Sequence, residues 1–239
     1  MGREFYDLYF FKNLENSNDK IKEFGKNSNS SDLVVFCINQ TKGRGRKGRV
    51  WKSKEGDLTC SVLLKKKLKI SEIGRINIII VSILINIFEG FGLKKIKFKW
   101  PNDIIINNKK VAGILIETSV SNNIVTQLII GIGINIKPQP NNSEFSSTSL
   151  FENGLKVQAN NLFFCIIKKL YFYIENYSKI DFSYLSAKLS NQFFNKKSLI
   201  NVSNGNHNNV GLFSKIGSLG ELIIENENRN FIITYGEIV

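Results

Sequence analysis

The segment Gln40-Thr41-Lys42-Gly43-Arg44-Gly45-Arg46-Lys47-Gly48-Arg49-Val50-Trp51 carries the densest chemistry in the chain. From Lys42 to Lys54 there are seven basic residues and no acid. Three glycines free the backbone to wrap an anion with its N–H groups, and the arginines offer paired donors to phosphate or carboxylate. Like charges repel and glycine is costly to order, so this loop is expected to be mobile when empty and to settle on a polyanion. Taken alone, a basic run reads more plainly as a solvated loop or a nucleic-acid tail. Two familiar patterns overlay it and fail. Gly43, Gly45 and Gly48 spell G-x-G-x-x-G, but a dinucleotide fold needs an apolar helix at once and an acid about 20 residues on. Here Trp51-Lys52-Ser53-Lys54-Glu55-Gly56-Asp57 follows instead. A kinase loop needs His-Arg-Asp and Asp-Phe-Gly. The sole histidine, His207, sits in an Asn/Gly turn, and Asp-Phe-Gly is absent.

Two further segments hold candidates. Lys99-Trp100-Pro101-Asn102-Asp103 precedes Lys109-Lys110-Val111-Ala112-Gly113-Ile114-Leu115-Ile116-Glu117. A lysine opening an apolar strand is often an edge residue. Aimed into a pocket, it meets little water and attracts any anion strongly. Ala112 and Gly113 leave room for a ligand against the backbone, while Asp103 fits either a metal or a turn cap. In Gly131-Ile132-Gly133-Ile134-Asn135-Ile136, alternating glycines let a flat ligand approach a strand, though taken alone they read more plainly as a bulge or tight crossing. The sequence has no Ser/His/Asp set, Cys/His pair or metal cluster. Any catalysis must therefore rest on cations, backbone amides and a metal-bound nucleotide. Adenylation fits that inventory, because it mainly needs charge neutralisation between a carboxylate and an α-phosphate.

The elements that must position these residues follow from periodicity and turn chemistry. A short helix is expected over 20–26, and strands over Leu33–Asn39 and Leu58–Leu64. Ser71 is a candidate cap for a helix to about Phe88, ended by Gly90 and Gly92. Short strands at Ile96–Phe98 and Ile104–Ile106 flank the Trp-Pro-Asn-Asp segment. Asn107-Asn108 reads as a hairpin turn with Val111–Thr118 pairing back. Ile124–Ile136 is a further strand, broken by its glycines, and Lys137–Ser149 is a polar surface loop. Helices are expected over Asn161–Tyr177 and Phe182–Phe194. From about Lys196, short alternating runs between Gly and Asn turns suggest a small β-barrel. The expected division is 1–195 for a catalytic unit and 196–239 for the barrel.

Bulk properties set the class. The 239 residues, 42% hydrophobic, suffice for one large packed domain with a small appendage. The +13 charge favours an anionic partner. No signal-peptide core opens the chain, and the longest apolar stretch, Ile76–Phe88, is interrupted by Asn77, Ser82 and Asn86 and is too short for a bilayer. Cys37, Cys60 and Cys165 are scattered, which fits free thiols in a reducing cytoplasm.

Taken together, in order and at compatible spacings, these motifs resemble the biotin–protein ligase family over nearly the whole chain. The carriers are Gly43-Arg44-Gly45-Arg46-Lys47-Gly48-Arg49-x-Trp51, Lys99-Trp100-Pro101-Asn102-Asp103, Lys110-Val111-Ala112-Gly113-Ile114-Leu115-x-Glu117, Gly131-Ile132-Gly133-Ile134-Asn135 and the terminal Gly236-Glu237-Ile238. The resemblance implies an α+β fold of the class II synthetase-like type: a mixed sheet with helices on one side, then the C-terminal barrel. It implies ATP with Mg2+ carried by the nucleotide, biotin as substrate, and a lysine of a biotin carboxyl carrier protein as acceptor. It assigns Asn16, Ser17, Asn18, Gln40, Arg44, Gly45, Arg46, Lys110 and Gly113 to biotin. Asn16 stands where the family usually has serine, and Lys47 where many relatives have arginine. Arg49, Trp51, Asn102, Asp103 and Asn135 fall on the nucleotide side. Lys110 and Arg46 are the implied catalytic pair, neutralising charge as biotin carboxylate attacks the α-phosphorus. Some relatives carry an N-terminal winged helix. The motifs here begin near Tyr6–Leu14, so no specific DNA binding is expected, nor membrane association, and the protein is read as a monomer or homodimer. The rival readings are a lipoate- or octanoate-type ligase of related fold and a non-enzymatic basic nucleic-acid-binding module.

Overall fold

The computed structural model describes residues 6–26, 32–138, 146–205, 207–227 and 229–239. In chain order it contains β1 (Tyr6–Leu14), α1 (Ser17–Gly25), β2 (Asp32–Gln40), β3 (Gly43–Arg44), β4 (Val50–Trp51), β5 (Leu58–Leu64) and β6 (Leu68–Lys69). There follow α2 (Ile73–Gly90), β7 (Ile96–Lys99), β8 (Asp103–Ile106), β9 (Lys109–Ser121), β10 (Ile124–Ile134), α3 (Ala159–Glu175) and α4 (Phe182–Asn191). The chain closes with β11 (Leu199–Ser203), β12 (Asn208–Ile216), β13 (Leu222–Asn226), β14 (Arg229–Ile233) and β15 (Glu237–Ile238).

The main sheet runs β1-β2-β5-β10-β9-β8-β7, with β6 also pairing β10. Only β1 and β2 pair in parallel; the other ladders of this sheet are antiparallel, so the sheet is mixed. Two Asn-Asn turns join β8 to β9 and β9 to β10. Asn107, Asn108, Asn122 and Asn123 all take positive φ of 50–62°, the conformation that asparagine tolerates and that matches strand twist.

Strand alternation sorts the side chains into two faces. Val34, Phe36, Cys60, Val62, Ile130, Ile132 and Ile134 point into the large core against α2, α3 and α4. Leu33, Val35, Leu63 and Ile129 point the other way and pack with Ile21 of α1. The expectation of helices on one side is therefore corrected: α1 covers the opposite face. It does so because its apolar side chains Ile21 and Phe24 pack on a small second core. The same parity explains the Gly-Ile-Gly-Ile run. Its isoleucines feed the large core while Gly131 and Gly133 face the α1 side, and β10 continues through them unbroken.

Other boundaries shift for local reasons. The first helix starts at Ser17 because Asn16 accepts the Asp19 N–H at 3.1 Å as N-cap. The α2 helix is preceded by a 3-10 turn, Ile70–Glu72, in which Glu72 accepts the Lys69 N–H at 2.9 Å, so Ser71 is not the cap. Together, Ile70–Gly90 is long and apolar enough to cross a membrane, longer than the interrupted apolar stretch suggests. In this fold it is the core helix, with Ile76, Ile79, Leu84 and Phe88 buried between sheet and neighbouring helices.

The tail forms a five-stranded antiparallel sheet, β14-β13-β12-β11-β15. It is not the closed barrel expected from its alternating runs. Among the described residues β15 pairs with Val202 and Ser203 of β11, and no ladder joins it to β14 at the other edge. This sheet is seated on the main body by specific contacts. Trp100 Nε1 donates to Gly220 O at 3.0 Å, and Phe193 stacks on Phe213 with ring centroids 3.7 Å apart. Gly74 and Gly220 meet so closely that a Cβ on either would strike the other segment's backbone.

Candidate active site

The site lies on the α1 face of the main sheet. One cross-strand row reads Thr59, Gly133, Gly113, Asp103 and Lys99; its neighbour begins Ser61, Gly131 and Leu115. The glycines form a floor without side chains, and the residues of α1, the basic loop and Lys110 pack down onto it.

At one end, helix α1 opens onto the sheet with three buried polar residues, Asn16, Ser17 and Asn18. Gln40 Oε1 accepts from Ser17 N at 2.8 Å and lies 2.9 Å from Ser17 Oγ. Ser61 Oγ sits 2.8 Å from Ser17 Oγ and 2.6 Å from Asn18 Oδ1. Asn18 Nδ2 donates to Glu117 Oε2 at 2.6 Å. Buried polar groups are retained only when they are satisfied, and this ladder fixes each rotamer. Asn18 lies directly on Gly131, where a Cβ would come within 2.6 Å of Oδ1. Asn16 donates to Lys42 O at 3.0 Å, tying the helix to the start of the basic loop.

At the other end, Lys110 Nζ lies 2.7 Å from Asp103 Oδ1 and 5.3 Å from the centroid of the Trp51 ring. The indole rests flat against the glycine floor: a Cβ on Gly133 would fall 2.4 Å from Trp51 Cε2. A Cβ on Gly113 would fall 3.0 Å from both Trp51 Cζ3 and Lys110 Cε. The flat group on the glycines is thus the protein's own indole. Asp103, read as metal ligand or turn cap, is the counter-ion of Lys110. Asn102 Nδ2 donates to Ile114 O at 2.5 Å and Asn135 Nδ2 to Thr148 O at 3.0 Å. Both amides therefore brace the backbone beside Lys110. Ser146 O and Thr148 N bond the Lys110 backbone, and Thr148 and Ser149 are buried. The stretch read as a surface loop therefore ends inside the fold, while its residues 139–145 lie outside the described ones.

The basic loop arches between these ends. Gly43 and Arg44 pair with Trp51 and Val50, and a 3-10 turn, Arg46–Gly48, caps the hairpin. Arg44 makes a paired contact with Asp19 at 2.5 and 2.7 Å and reaches Glu117 at 3.5 Å. The guanidinium beside Asp19 holds that carboxyl below its usual value. Gly45 N donates to Arg49 O at 2.7 Å. Arg46 donates to Gly236 O at 2.9 Å, and burial lowers its pKa from the ordinary arginine value. Asp57, almost fully buried, accepts from Ile136 N and Lys137 N at 2.8 Å and from Lys54 N at 2.9 Å, closing the loop's exit.

The structure therefore gathers Asn16, Ser17, Asn18 and Gln40 at one end and Trp51, Asp103, Lys110 and Gly113 at the other. Arg44 and Gly45 lie in the arch between them, while Arg46 and Arg49 reach toward the C-terminal segment. Sequence reading missed Ser61, Asp19 and Asp57 and gave Glu117 no role. Ser61 had a usable signal, being a polar residue at the outward parity of an apolar strand. No group of three or more His, Cys, Asp or Glu side chains able to hold a metal occurs among the described residues.

A sequence profile of the biotin/lipoate A/B protein ligase family matches residues 11–135, just over half of the chain. The chain belongs to that family. The biotin/lipoate ligase match ends at Asn135 and spans both ends of the site. Bifunctional ligase/repressor BirA of Bacillus subtilis is 35% identical over 136 residues, covering 56% of this chain and 42% of that protein. This chain thus corresponds to less than half of that relative's length. A biotin–[acetyl-CoA-carboxylase] ligase of Mycobacterium tuberculosis is 22% identical over 217 residues, covering 87% of this chain and 78% of the relative. Among solved structures, biotin protein ligase from Aquifex aeolicus in complex with biotin and ATP matches with a TM-score of 0.82 at 25% identity. That match covers 98% of this chain and 97% of that one.

Proposed function

We propose that this family member activates biotin with ATP as biotinyl-adenylate and transfers it to a lysine of a biotin carboxyl carrier protein, in the cytoplasm. The observation that carries the reading is the placement of Lys110. Its ammonium stands over the glycine floor beside Trp51, on the same face as the Ser17–Gln40–Ser61–Asn18 ladder. A cation held there by the sheet is suited to bridge a carboxylate and an α-phosphate that otherwise repel.

In this reading the ladder of Asn16, Ser17, Asn18 and Gln40 orients the polar head of biotin, and its chain runs toward Lys110 alongside the indole that covers Gly113 and Gly133. Biotin carboxylate attacks the α-phosphorus of ATP, forming the O–P bond of the mixed anhydride and releasing pyrophosphate. Lys110 and Arg46 offset the negative charge that accumulates in that step. Arg44, Gly45, Arg49 and Trp51 close over the product, and exclusion of water protects the anhydride. Asn102 and Asn135 keep the Lys110 strand ends in place, and Asp103 holds the ammonium until substrate replaces it. Mg2+ would come with the nucleotide, held by its phosphates, and would supply further charge neutralisation. The carrier's ε-amine then attacks the acyl carbon, giving the amide and AMP. Dividing the chain at residue 195 belongs to the same proposal, with the larger part carrying the chemistry. A family profile shared with lipoate ligases makes acid specificity the point to test. Pyrophosphate release with Mg-ATP should require biotin, and equal release with lipoate or octanoate in its place would reassign the substrate.

A further inference from the structure

The loop's three outermost cations do not face solvent alone. They converge on Tyr235, Gly236 and Glu237, some 190 residues away in the sequence, at the entry to the last strand of the C-terminal sheet. Glu237 Oε1 lies 2.7 Å from Arg49 Nη2 and 3.1 Å from Lys47 Nζ, and its side chain is only 15% exposed. Gly236 O accepts from Arg46 at 2.9 Å, and the Arg46 guanidinium lies 5.8 Å from the Tyr235 ring centroid. Gly236 has φ +146°, which turns its carbonyl toward the loop in a conformation L side chains rarely adopt. Lys47 itself sits at φ +53°, so the turn that presents these cations carries backbone strain that something must hold.

We infer that Glu237 is a positioning residue for the proposed adenylation: its carboxylate pins the Arg46–Arg49 turn, keeping the loop folded over the site before substrate arrives and delaying escape of the activated product. This rests on the ligase reading for its second half only. The logic is electrostatic. Within the loop, Arg46, Lys47 and Arg49 repel one another, and Gly45 and Gly48 favour disorder. A semi-buried carboxylate shared by two of these cations offsets both costs, and the neighbouring carbonyl takes the third. The C-terminal sheet then has a task, because its docking through Trp100, Phe213 and Gly220 fixes where Glu237 stands.

The test uses the full-length chain. Amide hydrogen exchange at Gly45 and Arg49, whose N–H groups are bonded within the turn, is measured without ligand for the wild type, Glu237→Gln and Glu237→Asp. Glu237→Gln should speed exchange about fivefold, the scale of losing two partly exposed ion pairs, and Glu237→Asp should recover most of the protection. Raising the salt should speed exchange in the wild type and add little in Glu237→Gln. In a single-turnover assay with biotin and Mg-ATP, Glu237→Gln should form biotinyl-adenylate more slowly, by about the same factor as the loss of loop protection, and release it several-fold faster. A folded Glu237→Gln protein with unchanged loop exchange overturns the inference. Faster exchange with unchanged release overturns the retention role. If the wild type makes no adenylate, the ligase reading fails instead, and the exchange data still decide whether Glu237 holds the loop.

Discussion

Adding one methyl group at Gly133 should unseat Trp51 and, with it, the loop. An alanine Cβ there would lie 2.4, 2.6 and 2.7 Å from Cε2, Cζ2 and Nε1 of the indole. Carbon atoms prefer about 3.5–4.0 Å, so the overlap is on the order of 1 Å. The sheet cannot yield, because Gly133 is paired on both sides, with Thr59 and Gly113. Trp51 can, since β4 is two residues long and pairs only with β3. Overpacking of this kind costs about 1–3 kcal/mol. Expressed as loss of the loop-closed population, that is roughly a 5- to 150-fold drop in adenylate formation at subsaturating biotin and ATP. Global stability should change little. Gly113→Ala, with nearest contacts of 3.0 Å, should lose less. The assay is single-turnover adenylate formation for Gly133→Ala, Trp51→Ala and the double variant, with thermal unfolding as control. Because the clash needs the indole, Gly133→Ala should cost little in the Trp51→Ala background. An equal loss in both backgrounds, or no loss in the single variant, would refute the placement of Trp51 on the glycine floor.

Lys110→Ala should cripple adenylate formation by about 3 kcal/mol in the barrier while biotin binding weakens much less, as measured by pre-steady-state kinetics and calorimetry. Arg46→Gly should slow adenylate formation but leave some of it, and let the product escape, which biotin labelling of an unrelated protein would reveal. Trypsin should cut within Gly43–Lys54 more slowly once biotin and ATP are present, and equal rates would count against closure. Of the three thiols, Cys165 alone should react quickly with iodoacetamide at pH 8. It is exposed, whereas Cys37 and Cys60 are buried. Burial pushes the Cys60 thiol up to about 12, so it stays protonated well past the ordinary thiol range, and burial raises Cys37 in the same direction.

The parts of the fold legible in the sequence were those with local causes. Leu58–Leu64 was readable at both ends because it is an uninterrupted β-rich run between a Gly-Asp turn and three lysines. The Asn107-Asn108 turn announced its hairpin through side-chain chemistry alone. Lys110 and the glycine pairs were visible because a cation and missing side chains are conspicuous in apolar strands. What stayed hidden depends on partners distant in sequence. Ser17 and Asn18 were named through the family resemblance, but nothing local shows that Gln40, Ser61 and Glu117 satisfy them. Asp19 and Glu237 carry no local mark of their pairing with Arg44, Lys47 and Arg49. The open C-terminal sheet could not be told from a barrel, because alternation gives strand faces but not closure.

The central claim is that biotin carboxylate attacks the α-phosphorus of ATP. The direct measurement is to supply biotin labelled with heavy oxygen in its carboxyl group, together with Mg-ATP and a carrier protein, and to weigh the AMP formed. Attack at phosphorus leaves one biotin oxygen on AMP after the carrier lysine takes the acyl group. AMP should therefore carry a single heavy oxygen and pyrophosphate none. Unlabelled AMP, or no AMP dependent on biotin, would contradict the account.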